Sequence, residues 1–339
     1  MALNMNPFAH NSSLSREAKI SMRYKGDEPF HDWQAKARAR LSILLGLDRI
    51  KRATDTKFNV EYVKEEETYT EYRFTLESEE GYAFPSVMRV PKGLRGRLPV
   101  MICLQGHSTG MHISLGMPKY EKDVASITGG DRDFCVRAVK EGYVAVAVEQ
   151  RNFGECGGKG ADGPNCTYST MVAFLNGRTT IGERVADIST VIDTLIEKFD
   201  FVDKSRICVM GNSGGGTATF YAAAIDERIS LAVPSCAFCT YKDSIAAMPH
   251  CPCNFVPFML DYFDMGDISG LIAPRKLVVV NGAQDKIFPQ NGVEEAYDLT
   301  KKLYFAAGVP ENCRLVTGEE GHRFYADAAW PVIHELSDI

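Results

Sequence analysis

Three residues far apart in the chain have the types and order needed for nucleophilic catalysis: Ser213, Asp285 and His322. Ser213 lies in Gly211-Asn212-Ser213-Gly214-Gly215, a G-x-S-x-G sequence. The apolar run Ile207-Cys208-Val209-Met210 before it reads as a buried strand, and Thr217 to Ala224 after it reads as a helix. A serine at the apex of such a strand-turn-helix is held in a strained backbone conformation with its hydroxyl exposed. A serine hydroxyl attacks a carbonyl only when a base takes its proton and a third group orients that base. Asp285 follows the apolar run 276–280 and His322 follows the run 313–316, so both are expected just past later strands. The ordinary readings are a glycine-rich loop at 211–215, a turn-forming Asp285 and a helix-capping His322. Glu319, Glu320, Asp264 and Asp267 compete with Asp285 as the orienting acid.

Acyl transfer further needs donors aimed at the developing oxyanion. The backbone N–H of Gly214 is one candidate. The N–H of His107, in the loop Leu104-Gln-Gly-His107-Ser-Thr-Gly110 after the first apolar strand, is the other. Its imidazole is expected to pack or face substrate and not to act in catalysis. Arg151, just past the strand 143–148, and Phe255, in an apolar insertion, are candidates for substrate contact. Glu183, Arg184 and Asp187 read as helix-face or ion-pair residues.

Those loops need a scaffold that brings strand ends together. Apolar runs at 98–104, 143–148, 206–210, 231–233, 276–280 and 313–316 alternate with helical stretches near 131–141, 181–199, 214–225, 291–307 and 323–336. Strands buried on both faces with helical crossovers make a parallel sheet. Before them, alternating residues between Phe58 and Pro91 form three short runs separated by acidic turns, which reads as antiparallel strands. The sequence is therefore α/β, a mostly parallel sheet with antiparallel N-terminal strands and helices on both faces. Residues 1–57 are expected to be an irregular arm to about residue 26 and then a helix to about Leu45, capped by Gly46 and packed on the main domain at 58–339. The connections 150–180 and 236–270 are longer than crossovers require, and the second is expected to act as a lid over substrate.

Bulk properties exclude several classes of function. A formal net charge of -6 without a Lys/Arg cluster argues against nucleic acid or an acidic membrane as partner. No run approaches the ~20 apolar residues that span a bilayer, and the first residues lack the form of a secretion signal. A cytoplasmic protein is expected, with association between copies left open. The 10 cysteines are scattered, and a chain of 339 residues builds its core without disulfides. C-x-x-C at Cys236/Cys239 and C-x-C at Cys251/Cys253 could ligate zinc. The expectation is thiols in packed loops, with no metal and no organic cofactor.

The segments Gln105-Gly-His107, Glu149-Gln-Arg-Asn-Phe-Gly154, Gly211 to Gly216, Asn281-Gly-Ala-Gln-Asp285 and Glu320-Gly-His322 together resemble the α/β-hydrolase superfamily. Within it, the chain looks most like the dienelactone-hydrolase and acetyl-xylan-esterase-like branch, from about Phe58 to the end. Residues Tyr262 to Arg275 resemble the run before the acid-bearing strand in bacterial esterases of that type. Asn212 and Gln105 depart from the usual pattern without removing a catalytic atom. The resemblance implies Ser213 as nucleophile, His322 as general base, Asp285 as its orienter, and a small ester substrate such as an acetylated saccharide. A peptidase or amidase with the same triad, and a non-catalytic binding protein on the same scaffold, are the alternatives.

Overall fold

A computed structural model of the 339-residue chain describes residues 5–53, 56–158 and 162–337. Residues 1–4 and 54–55 of the expected N-terminal section, and 159–161 of the first long connection, lie outside the described residues. Among the described residues nine strands form one sheet: β1 (Phe58–Glu65), β2 (Tyr69–Glu79), β3 (Tyr82–Pro91), β4 (Leu98–Leu104), β5 (Val144–Val148), β6 (Val202–Asn212), β7 (Ile229–Ser235), β8 (Lys276–Gly282) and β9 (Cys313–Gly318). Their order is β1-β2-β3-β5-β4-β6-β7-β8-β9. The first three are antiparallel, β3 meets β5 antiparallel, and β5, β4 and β6 to β9 are parallel.

Burial follows this topology. Every residue of β4 and β5 is buried, whereas β1, at the edge, is almost wholly exposed. That is why the central strands read as continuous apolar runs and the first strands alternate. The helices Phe30–Leu45, Thr180–Lys198, Gly214–Ile225 and Gln290–Ala306 cover one face, and Phe134–Lys140 and Ala326–Ser337 cover the other. β6 begins four residues earlier than the apolar run suggests, because Asp203-Lys204-Ser205 is polar yet extended.

The N-terminal region differs from expectation in one respect. Pro7–Arg16 is a helix, not an irregular arm. Asn6 caps it by accepting from the Ala9 N–H at 3.1 Å, and Pro7 suits the first turn. No residue of that helix is buried, so no apolar periodicity announced it. The next helix buries Trp33, Ala37, Leu41 and Leu45 against the core and ends at Gly46 in the left-handed conformation (φ 73°).

Parallel strands place the ends of β4, β6, β8 and β9 at one rim of the sheet. The 236–270 insertion folds over that region with a turn at Pro252–Asn254 and short helices at Met259–Tyr262 and Met265–Ser269. The N-terminal segment holds the insertion from outside. Ser21 and Met22 N–H groups donate to the Asp261 and Tyr262 carbonyls, both at 3.1 Å, and Arg23 forks onto Asp267.

Candidate active site

Ser213 sits between β6 and the helix Gly214–Ile225 with φ 56° and ψ -125°. A side chain in the positive-φ region is strained, and the surrounding strand and helix hold it there. The turn closes tightly because Gly211 faces Gly215: a Cβ on Gly211 would lie 2.6 Å from the Gly215 carbonyl. Gly106 makes the second close approach, where a Cβ would come within 2.6 Å of the Asn212 carbonyl oxygen. The loop after β4 is thereby pressed against the serine turn.

His322, past β9, shares a hydrogen bond of 2.7 Å between its Nδ1 and Asp285 Oδ2, past β8. The Asp285 side chain is fully enclosed and that of His322 is one-fifth exposed. Asp285 Oδ1 also accepts from the N–H groups of Ile287 (2.8 Å) and Phe288 (3.2 Å). Burial alone would raise the Asp285 pKa; the bond and charge of His322 and these two amides outweigh it and hold the carboxyl below its ordinary range. An ionised Asp285 fixes the ring with Nδ1 protonated and leaves Nε2 able to accept a proton. Phe288 stacks on the His322 ring at 6.0 Å between centroids.

Ser213 and His322 line one cavity of about 370 Å³, with His107, Gly214, Arg132, His250, Asn254 and Phe288 in its walls. No hydrogen bond joins Ser213 Oγ to His322 among the described residues, a common state before substrate arrives. Gly214 opens its helix, so its N–H has no intrahelical acceptor. Neither this N–H nor that of His107 finds a backbone acceptor elsewhere among the described residues. Burial pushes the His250 pKa down to about 4, helped by His107 and His322, so that ring is neutral.

Several sequence expectations are corrected. Arg151 does not face the cavity: it forks onto Asp187 at 2.8 and 2.9 Å, pairs with Glu79 at 2.8 Å and lies over the Tyr82 ring. Phe255 is half-exposed and outside the cavity wall, where its neighbour Asn254 stands instead. Asp264 and Asp267 cap the helix Met265–Ser269, and Glu320 pairs with Arg323, so none of them meets His322. Gln105 turns away to donate to Ser114 Oγ and the Arg132 carbonyl, both within 2.7 Å. Arg132 was not anticipated. It lines the cavity, donates to the His322 carbonyl at 3.2 Å, and has no carboxylate at ion-pair distance among the described residues. Its position after a long loop gives no periodic signal by which to find it.

The cysteines do not group as their spacing suggests. Cys236 lies near Asp285 and His322, and Cys239 contacts the Pro289 carbonyl. Cys251 and Cys253 meet Cys166 and His107 instead.

The sequence profile described as "Abhydrolase family" matches residues 16–320. A Bacillus subtilis (strain 168) protein named "Putative hydrolase YtaP" is 26% identical over 245 residues, covering 70% of this chain and 77% of that protein. Among solved structures, a Bacteroides fragilis protein described as "a putative acetyl xylan esterase" superposes with a TM-score of 0.76 at 17% identity, covering 98% of this chain and 85% of that one. A "Glucuronoyl Esterase from Solibacter usitatus" gives 0.68 at 15% identity, covering 94% and 96%. The two solved structures share the fold over nearly the whole chain. With a profile spanning nearly the whole sheet and a serine turn at the end of β6, the chain belongs to the Abhydrolase family.

Proposed function

We propose that the protein is a serine carboxylic-ester hydrolase acting on small acyl esters of carbohydrates or related compounds. The observation that carries this reading is the 2.7 Å His322–Asp285 pair opening into the cavity that contains the strained Ser213. In the first step Ser213 Oγ attacks the ester carbonyl carbon while His322 Nε2 takes the hydroxyl proton. The carbonyl oxygen becomes an oxyanion facing the Gly214 and His107 N–H groups. Collapse breaks the C–O bond to the alcohol, which leaves with the proton from His322. Water then repeats the sequence on the acyl-serine, releasing the acid and restoring Ser213. Asp285 stays ionised and steadies the imidazolium.

The names of the structural relatives support a carbohydrate ester, and Arg132 supports an oxygen-rich substrate by offering guanidinium donors beside the nucleophile. The test is active-site labelling with a fluorophosphonate, followed by turnover of p-nitrophenyl acetate, butyrate and octanoate against aminoacyl nitroanilides and acetylated xylo-oligosaccharides. Labelling and acetyl-ester turnover are expected in the native protein and absent from Ser213→Ala. Labelling that survives the substitution would reject the proposal. Preferential turnover of the nitroanilides would reassign the enzyme as an amidase.

A further inference from the structure

Beside the candidate triad, three loops bring four metal-ligating side chains to one point. His107 comes from the loop after β4, Cys166 from the head of the helix Thr167–Leu175, and Cys251 and Cys253 from the insertion. Their donor atoms all lie within 4.8 Å of one another. His107 Nε2 is 3.0 Å from Cys253 Sγ, and Cys253 Sγ is 3.4 Å from Cys251 Sγ. A tetrahedral zinc with Zn–S of about 2.3 Å separates its sulfur ligands by about 3.8 Å. With no donor pair farther apart than 4.8 Å, side-chain shifts of up to about 1 Å bring all four to coordination distance.

A second feature points independently to negative charge at this position. Arg184 is buried, yet no carboxylate lies at ion-pair distance from it among the described residues. Its Nη1 lies 3.8 Å from Cys253 Sγ and its Nη2 3.9 Å from Cys166 Sγ, while Nε has no partner. A buried guanidinium without an anion is costly, and the Arg151 carbonyl that accepts from Nη2 at 2.8 Å carries no charge to offset it. Neutral thiols do not repay that cost. Three thiolates and a neutral imidazole around Zn²⁺ carry a net charge of -1, which does. Phe153 closes the site, with its ring 5.2 Å from that of His107 and 4.3 Å from the Arg184 guanidinium carbon.

We propose that His107, Cys166, Cys251 and Cys253 form a Cys₃His zinc site that pins the insertion and the 150–180 connection to the oxyanion loop. Four protein ligands leave no open coordination position, so the role is structural. Binding expels three thiol protons to solvent and forms three Zn–S bonds and one Zn–N bond. Through His107 Nε2 the metal sets the position of the His107 backbone, and through Cys251 it builds the wall of the cavity. The inference is independent of whether Ser213 is a nucleophile.

The test is the zinc content, by elemental mass spectrometry, of the full chain purified without chelator and with zinc supplied. About one zinc per chain is expected. Ser213→Ala and Cys236→Ser should keep it, and the double variant Cys251→Ser/Cys253→Ser should fall to background. Cobalt exchanged into the native protein should give intense visible d–d bands and a near-ultraviolet thiolate charge-transfer band. Arg184→Met should weaken zinc retention against a chromophoric chelator by about 10–100-fold. Native protein that takes up neither zinc nor cobalt overturns the proposal. So does a disulfide among Cys166, Cys251 and Cys253 in the purified chain, found by peptide mapping.

Discussion

Two of the His–Asp pairs among the described residues sit in contrasting surroundings. His322 and Asp285 meet at 2.7 Å, and His112 and Asp123 meet at 2.9 Å. The first pair keeps one face of its imidazole toward the cavity of Ser213. The second is enclosed, and Asp123 also accepts from Thr109 Oγ1 at 2.6 Å and from the Lys119 and Tyr120 N–H groups. A carboxylate that gathers four hydrogen bonds from three neighbouring segments of loop, beside a ring without access to a substrate, holds loops together. A carboxylate that steadies a half-open ring can support proton transfer. The dyads also differ in the ring nitrogen that meets the carboxylate, Nδ1 in His322 and Nε2 in His112, and the remaining His112 Nδ1 is buried without a partner.

Asp285→Asn should lower kcat on an acetyl ester by about 10⁴-fold, because the wrong imidazole tautomer is favoured, with little change in the urea midpoint. If kcat stays within about tenfold, the orienting acid lies elsewhere. Asp123→Ala should do the opposite. It strands His112, Thr109 and two backbone amides, so equilibrium urea unfolding should show a loss of about 2–4 kcal/mol with kcat of the folded fraction unchanged. Arg132→Ala should lower kcat/KM for saccharide esters by about tenfold, while p-nitrophenyl acetate, which offers fewer oxygens, is affected less.

The smallest expected effect concerns pH. Burial, its largest influence, holds the His112 pKa below its ordinary value against the pull of Asp123, with Lys119 adding to the depression and Glu155 opposing it. The unfolded ring therefore takes up a proton at a higher pH than the folded one. The stabilisation from this neutral ring is complete above about pH 6.5 and is lost as pH falls through that value toward the folded pKa. Unfolding the native chain and His112→Gln in urea at about pH 7.5 and about pH 5.5 should show that the native chain loses more, by about 1 kcal/mol or less. Equal losses would mean that His112 does not titrate differently on folding.

The sheet was legible because its central strands are apolar on both faces, and the candidate triad because Ser213, Asp285 and His322 each follow such a strand. Strand order then delivers them to one rim without any local signal connecting them. Side-chain direction was not legible. Arg151 follows β5 as a pocket residue would, yet its guanidinium turns back to Asp187 on the helix Thr180–Lys198. Cys166 and His107 stand 85 and 144 or more positions from the C-x-C pair they meet, whereas Cys236 and Cys239 are the thiols near that pair in the sequence. Loops that converge only after the sheet has formed leave no periodic trace.

The N-terminal strap has a consequence for the order of assembly. Ser21, Met22, Arg23 and Gln34 bond to residues between Asp261 and Ala273. These contacts span well over two hundred residues of chain, so the loop-closure entropy is paid last. During synthesis the helix Phe30–Leu45 leaves the ribosome before the strands of this sheet, but the strap's hydrogen-bonding partners emerge only after most of the sheet. The buried face of that helix, with Trp33 and Leu41, has no complete surface to cover until then. Until residues 261–273 have emerged, part of that helix's apolar face therefore stays uncovered even where the helices Thr180–Lys198 and Gly214–Ile225 already pack on it.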